Sequence, residues 1–207
     1  LLALVILGWS GAWLFARSKA GEVMDAWIAR EARLGRVWTC PDRAIGGFPF
    51  RIDVSCVRPT FVSTQAGREG RGSLAGLAVT ARVLDPTQII AVFAAPLSFA
   101  ATAGEEVELA FSGARASYRG TPSAIEQTSL EADSISASVR APGYEPLTVG
   151  VDRVEAHLRR APDAPAGTDI AVTARGVRAP VLDTLLNDSA PGSVELRARL
   201  TQFAPAP

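Results

Sequence analysis

The chain opens on an uncharged apolar segment, which Arg17 and Lys19 follow directly. Residues 1–16 (LLALVILGWSGAWLFA) contain no ionisable side chain. Sixteen helical residues span roughly 24 Å, somewhat less than the ~30 Å hydrocarbon core of a bilayer. We interpret residues 1–19 as the visible part of a transmembrane anchor. Two alternatives stay open: a cleaved signal peptide with its site at residues 18–20, and a helix buried in a soluble core.

A helical period follows this segment. Val23, Trp27, Leu34 and Trp38 recur at four- and seven-residue steps, which predicts an amphipathic juxtamembrane helix over residues 20–39. Such a helix is expected either to dock on lipid or, as an ordinary amphipathic helix, to cover a sheet.

From Phe50 onward the period changes to two. Phe50, Ile52, Val54 and Cys56 alternate with polar residues, as in a half-buried strand. Further strands are predicted between Gly- and Pro-containing turns, over residues 77–84, 107–111, 114–119, 130–139, 147–158, 170–177 and 194–203. Two short helices, each opening with Pro, are predicted over residues 86–93 and 180–187.

These elements predict an α+β protein, in which the membrane helix and the amphipathic helix precede a mostly antiparallel, curved β-meander. Residues 40–203 would form one β-rich domain. The Pro/Ala-containing residues 204–207 would be a linker to a further C-terminal part. A slip of the alternation near Ser134 predicts a β-bulge.

Long apolar strand faces predict one face that either lines a lipid-sized groove or is filled by the amphipathic helix. The residues expected on this face are Val79, Ala81, Val83, Leu109, Phe111, Ile135, Ala137 and Val139.

The balance of charged residues argues against a nucleic-acid partner. Lys and Arg together number 21, as do Asp and Glu, so the formal net charge is zero. No overall positive field exists to attract nucleic acid, and we expect no nucleic-acid partner.

Residues suited to catalysis are few. His157 is the only histidine, and no nucleophile motif accompanies it. Glu131 and Asp133 share one strand face, where an exposed polar surface is the simpler interpretation. We therefore expect a non-enzymatic protein with no catalytic, metal or cofactor site.

Cys40 and Cys56 are the only cysteines. A disulfide between them is the favoured interpretation, and two free thiols are the alternative. The segment between them contains the distinctive string Gly46, Gly47, Phe48, Pro49, Phe50 and Arg51. We interpret this string as a rigid corner, with both Phe rings able to bury, that pins the first strand to the helix.

Three strings carry a resemblance to a known family: WTCP at residues 38–41, GGFPFRIDVSC at 46–56 and DPTQIIA at 85–91. Together they resemble a family of uncharacterised membrane-anchored proteins from alpha-proteobacteria, known only as a domain of unknown function. The resemblance implies no activity, cofactor or functional residue. More loosely, an N-terminal anchor followed by a β-rich body is similar to the AsmA-like envelope proteins linked to lipid transport.

Location follows from the anchor and the cysteines. Arg17 and Lys19 after the apolar segment favour a cytoplasmic domain, whereas a disulfide favours an oxidising compartment. Giving the cysteines more weight, we expect a single-pass inner-membrane protein with most of the chain in the periplasm. Its expected role is lipid handling or membrane organisation. A periplasmic scaffold or partner-binding protein with a fully packed sheet is the alternative.

Overall fold

The computed structural model describes residues 1–65, 69–121, 124–164 and 167–201. These residues form one long helix, a large sheet and one short helix. The helices are α1 (Leu2–Arg33) and α2 (Pro180–Leu186). The strands are β1 (Arg36–Thr39), β2 (Ala44–Gly46), β3 (Arg51–Val57), β4 (Thr60–Ser63), β5 (Gly70–Arg82), β6 (Gln88–Ala101), β7 (Glu106–Ala110), β8 (Gly113–Thr121), β9 (Ala124–Arg140), β10 (Leu147–Arg160), β11 (Thr168–Val177) and β12 (Gly192–Leu200).

All twelve strands belong to one sheet, and every pairing is antiparallel. Three pairs of short strands share a place in the sheet: β3 and β4 both pair with β5, β7 and β8 both pair with β6 and β9, and β1 and β2 pair with β4 and β3. The sheet is therefore a meander of long strands, several of them interrupted in the middle. This confirms the predicted α+β class and the mostly antiparallel sheet.

The interruptions line up from strand to strand and form a crease across the sheet. Antiparallel register places them opposite one another. They comprise the break between β3 and β4 at Arg58 and Pro59, the shift at Ala75 in β5, the extra residue near Pro96 in β6, the break between β7 and β8 at Phe111 and Ser112, Ser134 in β9, Asp152 in β10 and Gly176 in β11.

Ser134 shows what the crease does to side-chain alternation. Its φ of 51° places it in the left-handed region, and the pairing with β10 skips Ser134 and Asp152 while the register stays the same on both sides. Leu130 and Ala132 before it, and Ala137 and Val139 after it, thus project to the same side of the sheet. The alternation slips at the residue predicted, but through a left-handed residue with unchanged register rather than through a β-bulge, and the apolar side continues across the crease.

Helix α1 runs along the edge of the sheet. Trp9 and Trp13 donate hydrogen bonds to the carbonyls of Pro49 (3.0 Å) and Arg51 (2.8 Å). Farther along the helix, Trp27 contacts the ring of Trp38 in β1, with centroids 5.7 Å apart. Within the described residues, the substantial contacts of α1 are with β1, β2 and β3 only. At this edge α1 lies over the sheet, since a Cβ on Gly21 would be 3.6 Å from Ile45 Cδ1 and both Ile52 and Cys56 are buried. Within the described residues, α1 makes no substantial contact with the strands from β5 onward.

Gly35 ends α1 and corrects one prediction. The amphipathic helix was expected to reach residue 39, but α1 ends at Arg33 and Arg36–Thr39 forms β1. Gly35 has a φ of +76° and donates its N–H to the carbonyl of Ala32 (3.0 Å), the geometry of a glycine that terminates a helix. Trp38 thus lies on a strand, and it meets Trp27 across the turn. None of the helices in the described ranges has the length and apolarity required to cross a bilayer.

The helix predicted over residues 86–93 is wrong. Asp85 accepts a hydrogen bond from the Thr87 hydroxyl (2.5 Å) in a turn, and β6 begins at Gln88. The run from Ile89 to Phe93 is rich in β-branched residues, and it pairs with β5 and β8. Strand propensity and pairing on both edges outweigh the Asp-Pro start signal. The helix predicted over residues 180–187 is confirmed as α2.

Little of this fold is buried. The chain exposes 13805 Å², whereas a compact monomer of its mass exposes roughly 9,200 Å². Within the described part of the chain, the substantial contacts join each strand to its sheet neighbours and α1 to the β1 edge. The sheet is thus a single layer over most of its area, and no element of the described chain covers its faces beyond that edge.

Candidate functional site

One side of the sheet is apolar from edge to edge. Cross-strand partners in an antiparallel sheet project to the same face, so the register defines each row of that face. One complete row runs from β2 to β12 through Ile45, Val54, Val79, Ala91, Ala116, Leu130, Ala156, Val172 and Leu196. Most of these side chains are half-buried by their lateral neighbours. We call this side the apolar face.

The apolar face continues beyond the crease. There the register aligns Leu74, Leu97, Leu109, Ala137 and Val149 in one row, and Phe61, Gly72, Phe99, Val107 and Val139 in the next. Soluble monomers rarely leave contiguous apolar patches larger than a few hundred Å² uncovered. The apolar face extends from β2 to β12 and lies on both sides of the crease. It is therefore the main candidate for a binding surface.

The structure places most residues predicted for this face on it. Val79, Ala81, Leu109, Ile135, Ala137 and Val139 lie in strands at apolar-face positions. Phe111 lies in the crease between β7 and β8, and Val83 follows the end of β5. Sequence reasoning missed the other residues of the face, for which alternation within each strand was the available signal.

The opposite side, the polar face, carries a network of ion pairs. Arg153 in β10 contacts Asp133 (2.9 Å), Glu155 (2.9 Å) and Glu131 (3.2 Å). Glu131 also pairs with Arg115 in β8 (2.7 Å). The hydrogen bond from Arg115 holds the pKa of Glu131 below its ordinary value, and the charge of Arg153 acts in the same direction. Glu131 and Asp133 thus both contact arginine side chains on an open strand surface.

His157 lies on the polar face opposite Ser129 in β9. Its Nδ1 is 2.9 Å from the Ser129 hydroxyl, a partner that the sequence alone did not indicate because it depends on the register of β9 and β10. Both side chains stand on an open strand surface. Among the residues described, no carboxylate hydrogen bond orients the other ring nitrogen, and no cluster of potential metal ligands is found.

The corner over residues 46–51 joins the sheet to α1. Phe48 packs edge-on against Trp13 with centroids 5.4 Å apart, and Phe50 lies 6.0 Å from the Trp9 ring. Trp13 is buried, whereas Phe48 and Phe50 remain 56% and 62% exposed. The two Phe rings, which the sequence suggested could bury, instead lie at the surface beside the helix.

Cys40 and Cys56 form a disulfide, with Cα atoms 5.6 Å apart. The bond joins the segment between β1 and β2 to the end of β3. The disulfide predicted from the sequence is confirmed. It ties the segment that links β1 and β2 to β3, close to the crease.

The comparisons with known proteins give a family but no function. Residues 13–206 match the family described as "Uncharacterized protein conserved in bacteria (DUF2125)". Because the match covers most of the chain, the chain belongs to this family. The comparisons with curated proteins and with solved structures gave no match.

Proposed function

We propose that this member of an uncharacterised bacterial family is a non-enzymatic envelope protein that holds the acyl chains of lipids on the apolar face of its sheet. It is attached to the inner membrane through the N-terminal part of α1, and its sheet lies in the periplasm. The observation that carries the proposal is the apolar face itself, which from β5 to β12 has no substantial contact with a helix of the described chain.

The chemistry of the face favours acyl chains over polar ligands. Its row from Ile45 to Leu196 consists of Ala, Val, Leu and Ile, and the two adjacent rows also contain no charged side chain. The row nearest the 46–51 corner adds only the hydroxyls of Tyr118 and Thr128, so the gain on binding is mainly the removal of apolar area from water. Small side chains such as Ala91, Ala116 and Ala156 leave room above the sheet for an extended chain.

The position of α1 also supports the proposal. A helix filling the apolar face would have removed the need for a ligand, but α1 lies along the β1 edge. Its N-terminal part exposes Leu2, Leu4, Val5, Ile6 and Leu7, each more than half accessible. This is the composition expected of a segment that enters lipid.

The test compares two adjacent residues on opposite faces. Val139→Asp places a charge on the apolar face, and Ser138→Asp places the same charge on the polar face. We expect lipids to co-purify with the wild-type protein and with Ser138→Asp, and to be strongly depleted in Val139→Asp. Mass spectrometry of organic extracts measures the lipid, and circular dichroism checks that both variants fold.

Two outcomes would contradict the proposal. Retention of lipid by a folded Val139→Asp would place the lipid elsewhere. A wild-type protein free of lipid but bound to another protein along this face would support the alternative, a scaffold whose sheet is covered by its partner.

A further inference from the structure

A row of arginines crosses the polar face at the end of the sheet nearest the 46–51 corner. Register places Arg51 beside Arg82, Gln88 beside Arg119, Gln127 beside Arg159, and Asp169 beside Arg199, in successive strands. The cross-strand partners Arg119 and Gln127 join the middle of the row. From β5 onward an arginine recurs at every second strand, a spacing of roughly 10 Å. We call Arg51, Arg82, Arg119, Arg159 and Arg199 the arginine row.

The row is only partly neutralised. Arg51 lies 3.6 Å from Asp53, Arg159 lies 3.5 Å from Asp169, and Arg199 pairs with Asp169 (2.6 Å) and Asp163 (2.9 Å). In the part of the chain that the structure describes, Arg82 and Arg119 have no carboxylate within ion-pair distance. Asp85 is near enough for their charges to lower its pKa, after the larger effect of the Thr87 hydrogen bond.

The carboxylates at this end thus lie beside Arg51, Arg159 and Arg199, while Arg82 and Arg119 keep their guanidinium groups outside an ion pair among the described residues. The carboxylates Glu131, Glu155 and Glu195 lie two rows farther from this end, where arginines pair with them. Arg82 and Arg119 are exposed at the end itself. A planar array of guanidinium groups with free donors suits the phosphate groups of a lipid surface.

Exposed apolar residues lie at the same end of the sheet. Trp9 and Trp13 hold α1 to the corner beside Arg51, so residues 2–8 extend roughly 10 Å beyond it. Phe48 and Phe50 in the corner and Leu84 after β5 are 56%, 62% and 77% exposed. An apolar tip flanked by cations is the arrangement by which interfacial proteins enter the headgroup region of a membrane.

We propose that this end of the sheet docks on an anionic phospholipid bilayer, with the arginine row on the headgroup phosphates and the apolar tip of α1 inserted between the lipids. The proposal rests on the membrane attachment proposed above and adds the docking surface and the lipid class. Docked in this way, the apolar face opens directly onto the bilayer at its Ala81 and Leu158 end, so that acyl chains move between membrane and sheet without crossing water.

The experiment measures binding of the full chain to vesicles of phosphatidylcholine with and without phosphatidylglycerol. The test variant is Arg82→Gln/Arg119→Gln, and the matched control is Arg71→Gln/Arg140→Gln, which removes two exposed arginines at the other end of the polar face. Since each basic residue near an anionic surface contributes about a fivefold preference, the test variant should bind phosphatidylglycerol vesicles roughly thirtyfold more weakly. The control should stay within about twofold of the wild type.

Each outcome has a distinct meaning. Retained binding of Arg82→Lys/Arg119→Lys would support charge as the cause. Equal binding of the wild-type protein to both vesicle types, or an equal loss in the test and control variants, would overturn the arginine row while leaving the membrane attachment standing. No binding of the wild-type protein to either vesicle would overturn both proposals. The lipid content of the purified protein, measured separately, reports on the apolar face alone.

Discussion

At the scale of single residues, the two adjacent glycines of the corner differ sharply. Gly47 has a φ of +101°, and a Cβ there would lie 2.7 Å from the carbonyl oxygen of Arg51. Gly46 has ordinary strand geometry, and a Cβ there would meet nothing within 4 Å. The carbonyl of Gly47 also accepts a hydrogen bond from the Arg51 N–H (3.0 Å). The tight turn of the corner therefore depends on Gly47.

Gly47→Ala should destabilise the protein and Gly46→Ala should not. The left-handed backbone and the contact with main-chain atoms of Arg51 together should cost about 1–3 kcal/mol at residue 47. At residue 46 an added methyl group should change the free energy of unfolding by less than about 0.5 kcal/mol. Urea unfolding followed by circular dichroism measures both. Equal stability of the two variants would mean that the corner adapts to a side chain.

The sequence predicted this corner and the disulfide because both depend on local residues. Paired cysteines and a Gly-Gly-Phe-Pro-Phe string constrain the backbone where they stand. The sequence did not separate the roles of Gly46 and Gly47, since that difference depends on how the turn returns to Arg51. It also left the exposure of Phe48 and Phe50 open, which depends on where α1 lies.

At the scale of elements, α1 is held to the sheet by a few aromatic contacts rather than by a continuous stripe. Trp13 is 6% exposed and donates its indole N–H to the Arg51 carbonyl, while its neighbour Leu14 is 57% exposed. At the other end, Glu31 binds Arg36 of β1 through two hydrogen bonds. The hydrogen bond from Arg36 holds the pKa of Glu31 below its ordinary value.

Trp13→Ala should detach the first half of α1 from the corner. Removal of a buried Trp and of its hydrogen bond should cost about 3–5 kcal/mol. Leu14→Ala, one residue away on the exposed side, should change stability by no more than about 0.5 kcal/mol. Hydrogen exchange at the amides of residues 47–51 should accelerate in Trp13→Ala alone. Unchanged exchange in that variant would show that the corner holds its shape without the helix.

Element types were predictable where a pattern was long, and boundaries were not. The strands from β7 to β12 carry their own alternation, and the structure places a strand at each run predicted there. The last strand ends at Leu200, and residues 202–203 of that run, like the linker predicted over residues 204–207, lie outside the described residues. The helix predicted over residues 86–93 is wrong because Asp-Pro, which often starts a helix, stands before a β-branched run. The strands that pair with this run, and so make it a strand, lie far away in sequence. The end of α1 was missed because Gly35 separates two apolar residues, Leu34 and Trp38, that fit one helical stripe.

At the scale of the whole molecule, the crease has the largest consequence. In a regular strand, Ala132 and Ile135 would project to opposite sides, and each face would be half apolar. The slip at Ser134, with its counterparts in the other strands, brings the apolar residues of both halves to one side. The sequence showed the slip in β9 only. Its alignment across the sheet depends on register, which no single segment specifies.

Two features of the chain favour different cellular compartments for the sheet. Arg17 and Lys19 follow the apolar segment, which favours a cytoplasmic sheet. The Cys40–Cys56 bond favours an oxidising compartment, because cytosolic thiols are kept reduced. The disulfide constrains an ordered part of the fold, whereas two charges beside an apolar segment bias topology only in competition with the charges on its other flank. We therefore expect the sheet to be periplasmic.

A reporter fused after Thr201 tests this expectation in bacterial cells. Alkaline phosphatase, which needs its own disulfides to be active, should be active on the chain that carries residues 1–19 and inactive on a matched chain that starts at Ala20. A fluorescent reporter that folds only in the cytoplasm should show the reverse. Fluorescence from the longer fusion, with inactive phosphatase, would place the sheet in the cytoplasm. The proposed exchange of lipid would then take place at the cytoplasmic leaflet, and the cysteines would be expected to be reduced in the cell.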